Sequence, residues 1–175
     1  MSASEPPDDP SFLLPFQPPI GRRGRRWRCA DAGDFARTLV RAQGVWLTGL
    51  IVCLAIPDLL QVLLLMIFGL GVSSGVHEFG HAASYWLFHG PGTVILRTRA
   101  GMAMGVTVPP DGRDDPRVIA GGPLLAGVIG VLAIVLGLFT PVIRVEAFSL
   151  GTVFALHLGG LLPGNSDGNR LWSLY

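Results

Sequence analysis

The stretch GLGVSSGVHEFGHAASYWLFHG, residues 69–90, decides how the rest of the chain is read. It continues an apolar run that begins near Leu59, and residues 59–88 together predict a helix of about 45 Å at 1.5 Å per residue, longer than the hydrocarbon core of a bilayer. Such a helix must tilt or protrude. His77, Glu78 and His81 interrupt it. Unsatisfied polar groups in hydrocarbon cost several kcal/mol each, so ionisable residues held there point to a function. The i, i+4 spacing puts both imidazoles on one helix face, where they can bind a single Zn²⁺. Glu78 follows His77 directly and can reach water acidified by such an ion, which suits it to act as general base in attack on a peptide carbonyl.

Composition agrees with a membrane setting. The chain has 175 residues, half of them hydrophobic and only 14% charged, with a mean hydropathy of +0.52, which excludes an ordinary soluble domain. All 13 basic residues are arginine; the absence of lysine fits a GC-rich coding background as well as any function and carries no mechanistic weight. Cys29 and Cys53 lie far apart, one in a basic segment and one in an apolar run, so neither a disulfide framework nor a cysteine zinc site is indicated.

Residues 1–38 read as a disordered, basic cytoplasmic tail and residues 39–175 as the membrane core. Positions 1–20 are rich in Pro, Ser and acidic residues without periodicity, and apolar sequence begins too late for a signal peptide. GRRGRRWR then places Arg22, Arg23, Arg25, Arg26 and Arg28 ahead of the first apolar segment, where they serve as a topology anchor at the cytoplasmic leaflet more economically than as a nucleic-acid patch. Apolar segments run from about Leu39 to Ile56, Leu59 to Phe88, Val118 to Phe139 and Ala147 to Leu162, with Pro57 and Asp58 marking a turn between the first two. Between the second and third, the runs 93–98 and 103–108 flank Ala100 and Gly101 and predict a β-hairpin. The expected fold is an all-α membrane protein of about four transmembrane helices with one small hairpin. Every arginine except Arg144 falls in the N-terminal region, the 89–117 connection or the C-terminal end. Both termini are therefore expected in the cytoplasm, in a multi-pass protein of a bacterial cell membrane.

Two histidines do not complete a catalytic zinc site, which takes three protein ligands and leaves a position for water. His89 lies eight residues past His81, about 12 Å along the same helix, too far to share an ion. His157, in FALHLGG, and Asp167, in GGLLPGNSDGNRLW, both remain. Gly159, Gly160 and Pro163 would break the fourth helix before it crosses the membrane, and irregular backbone at that depth is tolerated only where it lines a protein cavity. An aspartate on such a break sits at a depth similar to that of His77 and His81, whereas His157 lies deeper on regular helix, within reach of a neighbouring helix carbonyl.

Three motifs in this order, HEFGH at residues 77–81, AGGPLLAG at 120–127 and LLPGNSDG at 161–168, resemble the site-2 proteases, intramembrane zinc metalloproteases that cut transmembrane helices. The likeness covers the stretch from Asp58 to Leu171. It implies that His77, His81 and Asp167 bind Zn²⁺, that Glu78 is the catalytic base, and that the chain hydrolyses peptide bonds within or near transmembrane segments of a membrane protein or peptide. The family's usual Asn three residues before the Pro is Gly160 here, and Asp167 follows Pro163 by one residue fewer than is common; either Asn165 or Asn169 then takes the place of the missing amide in binding the substrate, or the substrate backbone is held differently. Family members commonly have a hairpin before the third span, to which an unwound substrate can add as a strand. AGGPLLAG is read chiefly as helix packing through Gly121, Gly122 and Gly127. The alternative function is a catalytically inactive relative serving as a membrane scaffold or regulatory binder, against which the intact Glu78 argues. No PDZ-like or nucleotide-sensing module is read, so the expected partners are the lipid bilayer and a transmembrane substrate, with no nucleic acid and no nucleotide.

Overall fold

The computed structural model describes residues 24–55 and 59–175. The Pro-rich segment at positions 1–20, Arg22, Arg23 and the turn at Pro57 and Asp58 lie outside the described residues. In chain order the elements are strand β1 (Arg25–Cys29), helices α1 (Ala32–Ala42), α2 (Gly44–Cys53) and α3 (Leu59–His89), strands β2 (Val94–Arg99) and β3 (Met102–Thr107), the single turn α4 (Pro110–Arg113), and helices α5 (Pro116–Phe139), α6 (Arg144–Ala155) and α7 (Ser166–Trp172), with 3₁₀ turns at Pro141–Ile143 and Leu156–Leu161. Among the described residues, three stretches are long and apolar enough to cross a membrane: Leu60–His89, Pro116–Phe139 and Pro141–Trp172. Their exposed side chains, such as Leu63, Ile67 and Leu70 on α3 and Leu132, Leu136 and Phe139 on α5, are ones that lipid tails solvate as well as protein does.

The span expected over Leu39–Ile56 is not a single helix. It divides at Gln43, and α2, with 10 residues, reaches about 15 Å, half a hydrocarbon core. Gln43 is buried at the joint and donates through Nε2 to the Gly71 carbonyl of α3 at 2.6 Å. Upstream, α1 is amphipathic. Asp31 caps it by accepting from the Asp34 N–H at 2.8 Å, and Phe35 is fully buried against the rings of Phe79 and Trp86 on α3. Beyond the joint, α2 runs antiparallel along α3. Phe68 fills the space at Gly49 and Trp46 the space at Gly71, where added Cβ atoms would fall 2.1 Å and 2.3 Å from those rings.

The expected tail ends well before residue 38. Arg25–Cys29 joins the predicted hairpin as a third strand, giving an antiparallel sheet in the order β1-β2-β3 with Trp27 opposite Leu96 and Cys29 opposite Val94. The arginines mask a period-2 pattern in which only Trp27 and Cys29 turn inward. Those inward residues, with Val94, Leu96 and Ala103, pack against Phe35 of α1 and Ala82 and Tyr85 of α3. Burial there pushes the Cys29 thiol up from its ordinary value. At the hairpin tip Ala100 and Gly101 both have positive φ, as a two-residue type I′ turn requires.

Asp115 starts α5. Its carboxylate accepts from the Arg117 N–H at 2.8 Å and the Arg117 guanidinium at 2.7 Å, and His89 Nε2 lies 2.9 Å away. The guanidinium holds this carboxyl well below the usual carboxylate range. Downstream, α5 crosses α3 where Gly80 meets Gly121, and crosses α6 where Gly130 meets Gly151. Neither crossing has room for a side chain: a Cβ on Gly80 would fall 2.3 Å from the Gly121 oxygen, and one on Gly130 2.3 Å from the Ala155 nitrogen. Gly130→Val should therefore lower the midpoint of thermal unfolding in detergent by roughly 4–10 °C. An unchanged midpoint would mean that α6 does not lie against this glycine.

Candidate metal centre

His77, Glu78 and His81 project from the part of α3 that the sheet and α5 enclose. Asp167 arrives from the far end of the chain. After α6 the backbone tightens into the 3₁₀ turn at Leu156–Leu161, Leu162 is extended, Gly164 takes φ 106, and α7 begins at Ser166. The helix break read from Gly159, Gly160 and Pro163 is present in this form. Gly168 is what allows α7 to close back on it, since a Cβ there would fall 1.9 Å from the Leu162 carbonyl oxygen. That closure brings Asp167 to the histidines.

Three donor atoms converge. His77 Nε2 is 3.0 Å from Asp167 Oδ2, His81 Nε2 is 3.5 Å from the same oxygen, and the two Nε2 atoms are 3.2 Å apart. Atoms bound tetrahedrally to one Zn²⁺ at about 2.0–2.1 Å stand roughly 3.3 Å from one another, so this triangle has the dimensions of a shared ion. Its charge asks for one as well: a carboxylate and two imidazole lone pairs repel unless a cation, metal or proton, lies among them. The tautomer agrees. His81 Nδ1–H donates to the Val118 carbonyl of α5 at 2.8 Å, which leaves the Nε2 lone pair facing Asp167. His77 Nδ1 is buried without a protein partner, the only such side-chain atom among the described residues. Two imidazoles and a carboxylate make a donor set of the kind that can hold a divalent cation such as Zn²⁺.

Glu78 completes the arrangement. Val106 of β3 lies beside it, both residues facing the same cavity. Together with His77, His81 and Asp167, and with Met104 and Gly105 of β3, Glu78 lines this cavity of ≈ 160 Å³. The hairpin thus forms one wall of the site. On the opposite side, Gly122 of α5 lies against the His81 ring, where a Cβ would fall 2.3 Å from Nε2.

The remaining candidates are used elsewhere. Asn165 donates from its amide to the Gly159 carbonyl at 2.7 Å, and the Asn169 side-chain oxygen accepts from the Gly164 N–H at 2.7 Å, so both amides brace the loop before α7. Neither lines the cavity. His157 packs its ring 4.8 Å from that of His77 and lies 3.0 Å from Ser73 Oγ, so its partner is a hydroxyl and not the helix carbonyl expected. His89 is held between Asp115 and the Tyr85 ring, stacked at 5.4 Å. Sequence reasoning missed Arg113 and Arg170, which also line the cavity. Arg170 follows Asp167 at i+3 on the same helix, a spacing that could have flagged it. The role of Val118 uses a backbone atom, for which side-chain patterns carry no signal.

No family model, curated protein or solved structure matches this chain. The site therefore stands on its own geometry. Gly122→Ala removes no ligand but drives a methyl into His81, and should lower bound zinc in the purified protein by roughly tenfold or more, as loss of support around a ligand does. Metal analysis by mass spectrometry measures it. Parental zinc content in that variant would show that α5 does not determine the position of His81.

Proposed function

We propose that the chain is an intramembrane zinc metalloprotease of the site-2 protease kind, hydrolysing peptide bonds within or near transmembrane segments of membrane-protein substrates. The observation that carries this reading is the convergence of the His77, His81 and Asp167 donor atoms within 3.5 Å of one another, beside Glu78 and between helices apolar enough to cross a bilayer. His77, His81 and Asp167 would hold the ion, which when bound polarises a peptide carbonyl and acidifies water. Glu78 takes the proton from the attacking water and passes it to the leaving amine. Val106 of β3 walls the cavity beside this carboxylate, and the Val118 carbonyl keeps the His81 ring in the orientation the site needs.

Substrate enters as an added strand. Met104 and Gly105 bring β3 to the cavity on the side away from β2, and a substrate segment unwound there presents its scissile bond in extended form. The β3 backbone, and not the Asn165 amide, is then the main hydrogen-bonding partner of the substrate. Four crossings are supported by the course of the N-terminal half: β1 and β2 pack beside the later turns of α3, around Ala82 and Tyr85, while α2 runs antiparallel to α3 toward its Leu59 end. α1 and α2 together make the first passage. Strand β1 and helix α7 then lie on the hairpin side, and the arginine distribution assigns that side, with both termini, to the cytoplasm of a bacterial cell.

The chemistry is tested on purified protein with a model transmembrane substrate. Glu78→Gln should keep its zinc and lose cleavage by a factor of about 10² or more, because the amide matches the carboxylate in shape but cannot take the proton. Asp167→Ala should lose zinc and cleavage together, while His157→Ala keeps its zinc. Cleavage that survives Glu78→Gln rejects the mechanism, and a zinc-loaded parent that cuts no membrane substrate favours the scaffold. Topology has a separate test at Asp114, whose side chain is 74% exposed on the connection before α5. A cysteine placed there by Asp114→Cys, with Cys29 and Cys53 replaced by Ala, should resist an impermeant thiol reagent added outside intact cells; labelling from outside reverses the orientation.

A further inference from the structure

We infer that the outer face of the three-stranded sheet is a docking surface for the headgroups of anionic phospholipids. The strand register carries the inference. Trp27 and Cys29 of β1 and Leu96 and Val94 of β2 turn inward, so the alternate residues Arg26 and Arg28 and their neighbours Arg97 and Arg99 turn outward, all four exposed, with Arg26 directly opposite Arg97. Like charges placed opposite each other destabilise a sheet. Nothing inside the fold offsets them: among the described residues no carboxylate lies within ion-pair distance of any of the four, and Arg97 reaches only the Thr107 hydroxyl, at 3.1 Å. Asp34 shares a cleft with Arg28 but is engaged by Arg37 and the Ala30 N–H. A face of this kind is stable when anions from outside the chain supply the counter-charge.

The location selects the anion. The inner side of the sheet packs on the α3 segment that includes Phe79, Ala82 and Trp86, next to helices long and apolar enough to cross a bilayer. The guanidinium groups cannot enter hydrocarbon, so the sheet settles where lipid phosphates lie, and a guanidinium fork matches a phosphate with two parallel hydrogen bonds. Each arginine at an anionic membrane surface adds about fivefold to affinity. Headgroup binding in turn holds the sheet against α3, and with it the β3 strand that lines the cavity beside Glu78. The docking surface does not depend on the protease reading, since it rests on residues outside the metal centre.

The test compares amide hydrogen exchange of the full chain in nanodiscs of phosphatidylcholine with discs that also contain phosphatidylglycerol. Exchange over residues 25–29 and 94–99 should slow by about tenfold or more in the anionic discs, by linkage to headgroup binding, and the effect should fall as salt is raised. The quadruple variant Arg26→Gln/Arg28→Gln/Arg97→Gln/Arg99→Gln should show no such slowing, while exchanging no faster than the parent in phosphatidylcholine, because the mutual repulsion removed outweighs the one exposed Arg97–Thr107 hydrogen bond. Should the quadruple variant fold poorly, the pair Arg26→Gln/Arg97→Gln is read instead, by titration of short-chain phosphatidylglycerol into detergent-solubilised protein, with affinity expected to fall about fivefold per arginine. Equal exchange in the two lipids overturns the proposal, as does lipid affinity that the substitutions leave unchanged. Slowing produced by an oligonucleotide but not by phosphatidylglycerol overturns it in favour of nucleic acid. Slowing that is present in both lipids and is lost when Glu5, Asp8 and Asp9 become amides assigns the face to this chain's own N-terminal acids and also overturns it.

Discussion

Gly80 and Gly121 let the backbones of α3 and α5 meet with no side chain between them, and the geometry of the candidate metal centre follows from that contact. Helices in lipid gain little from burying apolar surface against each other, so close backbone packing has to supply the association. Because α5 lies so near, the Val118 carbonyl reaches the His81 ring at 2.8 Å and Gly122 leaves space for the same ring. The same helix then carries Gly130 against Gly151 of α6 and Pro123 against Gly160, which sets where the chain turns back toward the histidines. A larger residue at the first crossing would thus move a ligand, its orienting acceptor and the approach of Asp167 together.

The polar groups beyond the metal centre fasten the same two helices at their shared end. Tyr85 stacks on His89, His89 pairs with Asp115, and Asp115 caps α5 while holding Arg117, whose guanidinium lies 4.3 Å from the centre of the Phe88 ring. This chain of contacts alternates between α3 and the start of α5, and it holds the end of α3 from which the hairpin departs. The hairpin in turn places Val106 beside Glu78. Fixing Glu78 therefore requires both the long apolar helices and the small sheet beside them.

Much of this was legible in the sequence, for reasons that can be stated residue by residue. The long α3 was readable because apolar sequence without a breaker runs from Leu59 onward, and His77, Glu78 and His81 stood out because ionisable residues are conspicuous in such a run. Pro163 and its neighbouring glycines marked the break before Asp167, and Ala100–Gly101 marked the hairpin turn. Two features were not readable. The division at Gln43 depends on an amide finding the Gly71 carbonyl across the bundle, a tertiary contact with no local signature. Strand β1 was hidden because arginine-rich sequence reads as a solvated tail, and only pairing with β2 reveals that Trp27 and Cys29 face inward.

Asp167 differs from the histidines in one respect that bears on the whole chain. His77 and His81 are neighbours on one helix, whereas Asp167 stands 90 residues further along, on the short last helix. An ion shared by the three would act as a clasp between the middle of the chain and its end, closing a loop nearly as long as those for which a covalent cross-link removes about 4–5 kcal/mol of chain entropy from the unfolded state. The short α7 has little apolar surface to hold it in place, with Leu171 half-buried and Trp172 exposed. The group that prepares water for attack would then also keep the C-terminus docked, so that catalysis and the integrity of the last helix share a single fastening.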